Sequence, residues 1–451
     1  MVEHGAIHAS GPGTDYLIVG AGAMGMAFAD EILRGSKDAR VLMVDRRAKP
    51  GGHWNDAYPF VSLHQPALFY GVNSRELGAG GEDLVSRAQI LAYYELALKD
   101  FEATGRFVFL PQHDYLPDGV LRSLISGRPD RKVTPQKTVD ATYMDVRVPA
   151  NTAPKYAHSE RAQLIPINGL ASLDRPYSRY VVLGAGKTGI DAVLYLLEQH
   201  VAPETISWVM PNDAWFLNRA NIQPPNIAAE FIDQMRLMHE VGSLDLVLDE
   251  LERLGRLLRL DPEVRPTKYR CATVTDEELA ALRQVKDVIR LGRVSRIDDA
   301  TLQLASGERI FPEAPEDILY VDCTADGLAP RPEVPIFAGD RITLQAISMC
   351  QQVMSAAAIG ALELRMDSDA EKNAILAPVA HPAVPADYLP AFARTMENQK
   401  RLGGKMFWWT FTSRLSGAKH MPFFHFVRFM LAALRWPALD DERVAALLGD
   451  H

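Results

Sequence analysis

Two glycine clusters carry the first chemical signal in this chain. Gly20, Gly22 and Gly25 follow an aliphatic run that ends at Val19, and Gly184, Gly186 and Gly189 follow a second run, Tyr180 to Leu183. Gly-x-Gly-x-x-Gly between a strand and a helix suits a dinucleotide. The first glycine turns the chain, the second lets a pyrophosphate reach the backbone, and the third lets the helix pack on the strand. The helix start then offers unpaired N–H groups and the positive end of its dipole to the phosphates. Gly186-Lys187-Thr188 also invites a triphosphate reading, which requires a glycine at position 181. That position is Val181, in the middle of the aliphatic run, so no loop is left to wrap a triphosphate.

Residues beyond each turn separate the nucleotides. Asp45 lies where a carboxylate accepts hydrogen bonds from a ribose diol, and Arg46 and Arg47 beside it are expected to cover the adenine. The matching stretch of the second unit, "WVMPNDAW" (208–215), has no Lys or Arg, and Asp213 would repel a 2′-phosphate. Lys187 in the turn, with Thr188 next to it, and Arg219 farther on are the alternatives for holding one. On charge alone NADH fits at least as well as NADPH. Cys271, Cys323 and Cys350 form no C-x-x-C pair, so the spacing supports no disulfide framework, zinc ribbon or dithiol centre, and no metal site is expected. No Ser/His/Asp arrangement is visible.

The elements that must position these residues repeat. "DYLIVG–AGAMGMAFADEILRG–SKDARVLMVD" reads as strand, turn, helix, strand, and residues 179–210 read the same way. A β-meander is expected over 104–148, helical material over 226–259, and a long small-residue helix from about Thr343 to Leu364. Val-Asp-x-Thr recurs at 139–142 and 321–324, bracketing the second unit as crossovers of an inserted domain would. These features predict an α/β chain with two Rossmann-like domains, one inserted in the other. The expected boundaries are 14–150 and 318–365 for the host, 165–317 for the insert with a helical insertion at 220–260, and 366–451 for a helical tail.

With 451 residues, 47% apolar and 23% charged, the chain has room for two or three ordinary globular domains. A net charge of −9 argues against nucleic acid as the main partner, because phosphate contacts need clustered Lys and Arg. The first dozen residues lack a signal-peptide pattern and no apolar run reaches ~18 residues, so a cytoplasmic setting without a transmembrane segment is expected. The aromatic tail, "KMFWWTFTSRL" with "PFFHF", suits a pocket wall, a homodimer contact or core packing. The greasy stretch 421–436 reads as a docking helix, with a membrane-surface role as the alternative.

After Asp45 comes "RRAKPGGHWNDAYPF", which resembles the Gly-Gly-x-Trp segment of flavin-containing and Baeyer–Villiger monooxygenases. "YGVNSREL" (70–77), "SRAQILAYYELALKDF" (86–101) and "DAWFLNR" (213–219) are similar to further segments of that family, and spaced motifs cover most of 14–365. The resemblance implies FAD on Gly20, Gly22, Gly25 and Asp45, with Gly52 and Trp54 at the pyrophosphate and flavin edge. It implies NAD(P)H on the second turn and Asn73 beside flavin C4a. It also places the start of a helix near Ile342-Thr343-Leu344-Gln345 at the flavin O2. The implied reaction is NAD(P)H-driven oxygenation of a small apolar or aromatic molecule by O2, at nitrogen, sulfur or a carbonyl, through a C4a-(hydro)peroxyflavin. A flavin dehydrogenase or reductase, and a non-catalytic FAD-bound sensor or scaffold, are the alternatives. The family's Phe-x-Gly-x-x-x-His-Ser/Thr fingerprint is echoed only at His158-Ser159, and Val-Asp-x-Thr replaces its Ala-Thr-Gly crossover. Both departures mark a divergent branch.

Overall fold

The computed structural model describes residues 13–81, 84–325, 327–328 and 331–449. Its two main sheets grow from the two aliphatic runs. Tyr16–Val19 lies between Val41–Asp45 and Lys137–Asp140, parallel to both, and Phe107–Pro111 pairs beyond Val41–Asp45. Arg341–Thr343 returns to the other side of Lys137–Asp140 and completes the host sheet with Phe337–Ala338. In the second sheet Arg179–Leu183 lies between Ile206–Val209 and Ile318–Asp322, with Asp287–Ile289 and Gln163–Pro166 at the edges. Strands Val41–Asp45 and Ile318–Asp322 are buried throughout, as expected of parallel strands covered on both faces.

The nested arrangement is present, but its second crossover falls later than expected. Ile318–Asp322 is a central strand of the inserted sheet, so the chain re-enters the host after Asp322 and not at 318. The Val-Asp-x-Thr echo explains itself here. Thr142 bonds Asp140 Oδ1 through its N–H (2.9 Å) and hydroxyl (2.7 Å), and Thr324 does the same to Asp322 Oδ1 at 3.0 and 2.6 Å. Each motif caps the strand that neighbours a glycine-turn strand, one per sheet.

The long helix expected from Thr343 is also corrected. Residues 341–343 form a strand, and the helix runs Gln352–Glu363. A short buried apolar run satisfies strand and helix alike, and pairing with Lys137–Asp140 decides for strand. The meander and the helices at 227–240 and 244–253 match expectation.

The tail is part of the fold. Tyr388, Leu389, Phe392, Ala432 and Leu447 share a core with Met238 and Leu248 of the helical insertion and with Trp215 of the strand Ala214–Asn218. At the host, Arg414 donates to the carbonyls of Val72 (2.7 Å), Leu68 (3.1 Å) and Tyr70. Trp409 Nε1 donates to the buried carboxylate of Glu31 at 3.0 Å. One side of the helix Phe423–Arg435 stays open, with Phe423 and Leu434 among the most exposed apolar residues. None of the described helices is long and apolar enough to cross a membrane.

Arg414→Ala strands the buried carbonyls of the 68–72 loop and is expected to lower unfolding free energy by about 2–4 kcal/mol in urea titration. Arg414→Lys recovers only part of that, because an ammonium lacks the planar fork. A loss below about 0.5 kcal/mol, the size of an ordinary surface change, would contradict the anchoring role.

Candidate functional site

Both glycine turns open into one cavity of about 1170 Å³. This exceeds the ~300–1,000 Å³ of a site for one small ligand, and it leaves room for two extended cofactors. In each turn the third glycine sits against the first. A Cβ at Gly25 would lie 2.1 Å from the carbonyl oxygen of Gly20, and at Gly189 2.0 Å from that of Gly184, so helix and strand meet only because no side chain intervenes. Gly22 and Gly186 cap the two helices without any side-chain hydrogen bond to the first turn, which leaves those N–H groups for an anion.

The host end of the cavity fits an ADP moiety. Asp45, which is buried, accepts from the N–H of Ala21 inside the turn (2.6 Å) and from that of Arg47 (2.7 Å), so strand end and turn are tied together. Arg46 lines the cavity and pairs with Asp114 at 3.0 Å. Gly52 lies so close to the turn that its Cβ would sit 2.8 Å from Gly22 Cα. Trp54 lines the cavity, stacks on His53 and donates to Tyr70 Oη at 2.6 Å. His53 is pushed down to about 4 by burial and the Arg47 charge, and His64 to about 3 by burial and Lys187. Both rings are neutral at pH 7 and add no positive charge.

Over 404 residues the chain is 42% identical to an uncharacterised protein of Mycobacterium tuberculosis, covering 86% of this chain and 74% of that protein. A protein of Mycobacterium bovis matches to the same extent. The chain belongs to this mycobacterial protein's family. Residues 18–67 of this family member match the model of an NAD(P)-binding Rossmann-like domain. Among solved structures, an oxidised steroid monooxygenase bound to NADP is 12% identical with a TM-score of 0.51, over 78% of this chain and 85% of that one. A polycyclic ketone monooxygenase of Thermothelomyces thermophila is 12% identical with a TM-score of 0.50, over 95% and 90%. At such identities the likeness is one of fold, and it is the fold that the spaced motifs imply.

Several residues expected at the cofactors lie elsewhere. Asn73 does not line the cavity. Its amide nitrogen donates to Glu31 Oε1, and its oxygen accepts from Ser413 Oγ (3.0 Å) and the Leu415 N–H (3.3 Å), so one end holds the helix Ala23–Gly35 and the other the tail. Arg219 is buried in a fork to Glu278, 2.9 Å at each oxygen, and does not line the cavity. Leu344 and Gln345 precede the helix by several residues and lie outside the cavity; the Gln345 amide bonds the Val334 backbone. Gln352 and Val353, at the true helix start, line the cavity instead. Lys187 faces the cavity but is ion-paired to Asp191, whose other oxygen takes the Tyr58 hydroxyl. Residues of the aromatic tail do not line the cavity, so they give no support to an aromatic substrate.

Three features escaped sequence reasoning. Asp213, expected to repel a 2′-phosphate, is neutralised by Arg290 at 2.8 and 3.0 Å and does not face the cavity. Lys268, Arg270 and Arg293 do face it, near Pro211 and Asn212 at the end of the second strand. Lys268 and Arg270 belong to the strand Lys268–Val274 and Arg293 directly precedes the strand Val294–Asp298, all far downstream in sequence and beyond the reach of any local motif. Finally, Cys271 and Cys350 are joined in a disulfide, contrary to the reading of their spacing.

With its amide committed to Glu31 and the tail, Asn73→Ala is expected to lower stability by about 1–3 kcal/mol in chemical denaturation. The rate of flavin reduction in the folded variant should stay within about threefold of wild type, a barrier change under ~0.7 kcal/mol. A tenfold loss of rate at unchanged stability would return Asn73 to the reacting atoms.

Proposed function

We propose that this protein is an FAD- and NAD(P)H-dependent oxidoreductase that uses O2 to oxygenate a small organic molecule. The observation that carries the reading is the pair of uncapped helix starts, each behind a strand-packed glycine turn, opening into one cavity. When bound, the flavin supplies hydride acceptance from the nicotinamide and activation of O2. FAD fits the host turn, where Asp45 takes the ribose and Gly22 and Gly52 leave the pyrophosphate an open cradle. The nicotinamide cofactor fits the inserted turn, across Gly186 and Thr188. Lys268, Arg270 and Arg293 supply the positive charge that the inserted turn lacks, and this favours NADPH over NADH. The chain's own work is alignment and exclusion of water: Trp54, held by Tyr70, fixes one wall, and Tyr58 ties the host loop to the inserted helix through Asp191. A second reading, electron transfer without oxygenation, draws on the disulfide in the cavity wall and on the absence of Asn73 from it.

Gly186 offers a clean test, because a Cβ there meets nothing within 4 Å and its φ of −79° suits any residue. Gly186→Ala should fold, changing stability by less than about 1 kcal/mol, and keep its FAD. Its KM for NADPH should rise about tenfold or more, the equivalent of ~1.4 kcal/mol. Unchanged KM would contradict the assignment of the second turn.

Oxygenation is tested by reducing the holoprotein with NADPH and mixing with O2 in stopped flow. A transient flavin absorbance distinct from the reduced and oxidised forms is the expected result. Direct return to the oxidised spectrum would favour electron transfer, and failure of both nicotinamides to reduce the flavin would overturn both readings.

A further inference from the structure

Cys271 and Cys350 are 79 residues apart in sequence, with Cα atoms 6.5 Å apart. Cys271 is buried in the core that the helical insertion shares with the tail, and Cys350 is half-buried against it. Both residues line the cavity into which the two glycine turns open. Cys271 belongs to the strand Lys268–Val274 of the inserted unit, and Cys350 immediately precedes Gln351, the cap of the helix Gln352–Glu363. His381 lines the cavity as well, and one of its ring nitrogens and the two sulfurs all lie within 4.8 Å of one another. Its Nδ1 donates to the Pro382 carbonyl at 3.0 Å, so the neutral ring keeps its lone pair on Nε2. Burial, reinforced by the Arg270 charge, holds this imidazole below its usual range, and it is neutral at pH 7. Both cysteines are left-handed, with φ of 53° and 61°, a conformation that non-glycine residues seldom adopt and that clusters at functional sites.

We propose that Cys271–Cys350 is a redox-active disulfide that takes an electron pair from the reduced flavin, with His381 handling the proton. The inference rests on the assignment of FAD to the cavity. The Sγ–Sγ bond breaks as it accepts two electrons. One sulfur takes the proton that leaves the reduced flavin with that pair, and the other takes a proton from solvent through His381. Two thiols and an oxidised flavin result. A thiolate at Cys350 is favoured by the helix start beside it, which makes this sulfur the better leaving group. The third cysteine, Cys323, is a buried thiol whose pKa burial raises well above the ordinary value, and it takes no part.

The experiment uses the FAD-loaded protein under anaerobic conditions, reduced by light with EDTA so that electrons enter through the flavin without any nicotinamide. Thiols are then trapped by alkylation and mapped by mass spectrometry. The wild type should take up about four electrons per flavin, against about two for a protein with flavin alone, since a disulfide is a two-electron couple. Cys271 and Cys350 should both be alkylated after reduction and neither before. The Cys271→Ser/Cys350→Ser double variant, checked for flavin content and melting temperature, should take up about two. Uptake of about two electrons by the wild type, with the disulfide intact, would overturn the proposal and leave the bond a structural tie. One tightly held zinc per chain in the isolated protein, with both thiols protected until chelation, would overturn it in favour of a metal site. Because light replaces the nicotinamide, a flavin that NADPH cannot reduce would sink the proposed function while this readout still decides the disulfide. A protein that binds no FAD would overturn both.

Discussion

The structure depends on two contacts that only glycine permits. At Gly25 and at Gly189 a helix backbone approaches the carbonyl of the turn's first glycine so closely that a single added carbon would sit 2.1 or 2.0 Å from it. This contact sets the angle at which each helix leaves its strand, and so points both helix starts into the same cavity. Asp45 reinforces the host turn by bonding Ala21 from the end of the neighbouring strand. In the inserted turn the Trp208 indole donates to the Gly184 carbonyl at 2.8 Å, from the equivalent neighbouring strand. The two sites solve the same problem with different side chains.

Around this pair of turns the remaining elements act as clamps. The helix Ala23–Gly35 carries two buried carboxylates, Asp30 and Glu31, in its C-terminal half. Burial holds Glu31 above the usual carboxylate range, while Asn73 and Trp409 donate to it. The cofactor-side loop and the tail are thereby pinned to one helix, and Arg414 fixes the same loop through its carbonyls. Tyr70, which orients Trp54, belongs to that loop. The tail therefore acts on the cavity through the loop rather than by lining it.

What could be read from the sequence follows the range of each interaction. Glycine spacing, Asp45, Gly52 and the strand–helix–strand units are local, and Gly20, Gly22, Asp45, Gly52, Gly184 and Gly186 line the cavity. Local motif alone puts Arg219 and Asn73 at the cofactors, but tertiary partners, Glu278 for one and Glu31 with Ser413 for the other, engage both elsewhere. The helix expected at Thr343 failed for a similar reason, since strand pairing with Lys137–Asp140 overrides an ambiguous apolar run. The cations Lys268, Arg270 and Arg293, and the Cys271–Cys350 bond, exist only once distant strands meet. No spacing rule reaches them.

In the proposed function, one cavity brings a nicotinamide on the inserted turn to a flavin on the host turn. Anaerobic flavin bleaching by NADPH carrying deuterium at C4 of the nicotinamide tests it most directly. A primary isotope effect on the bleaching rate is the predicted result, because hydride must pass straight from one ring to the other. Bleaching without an isotope effect at either C4 position, with chemistry shown to be rate-limiting, or no bleaching at all, would contradict it.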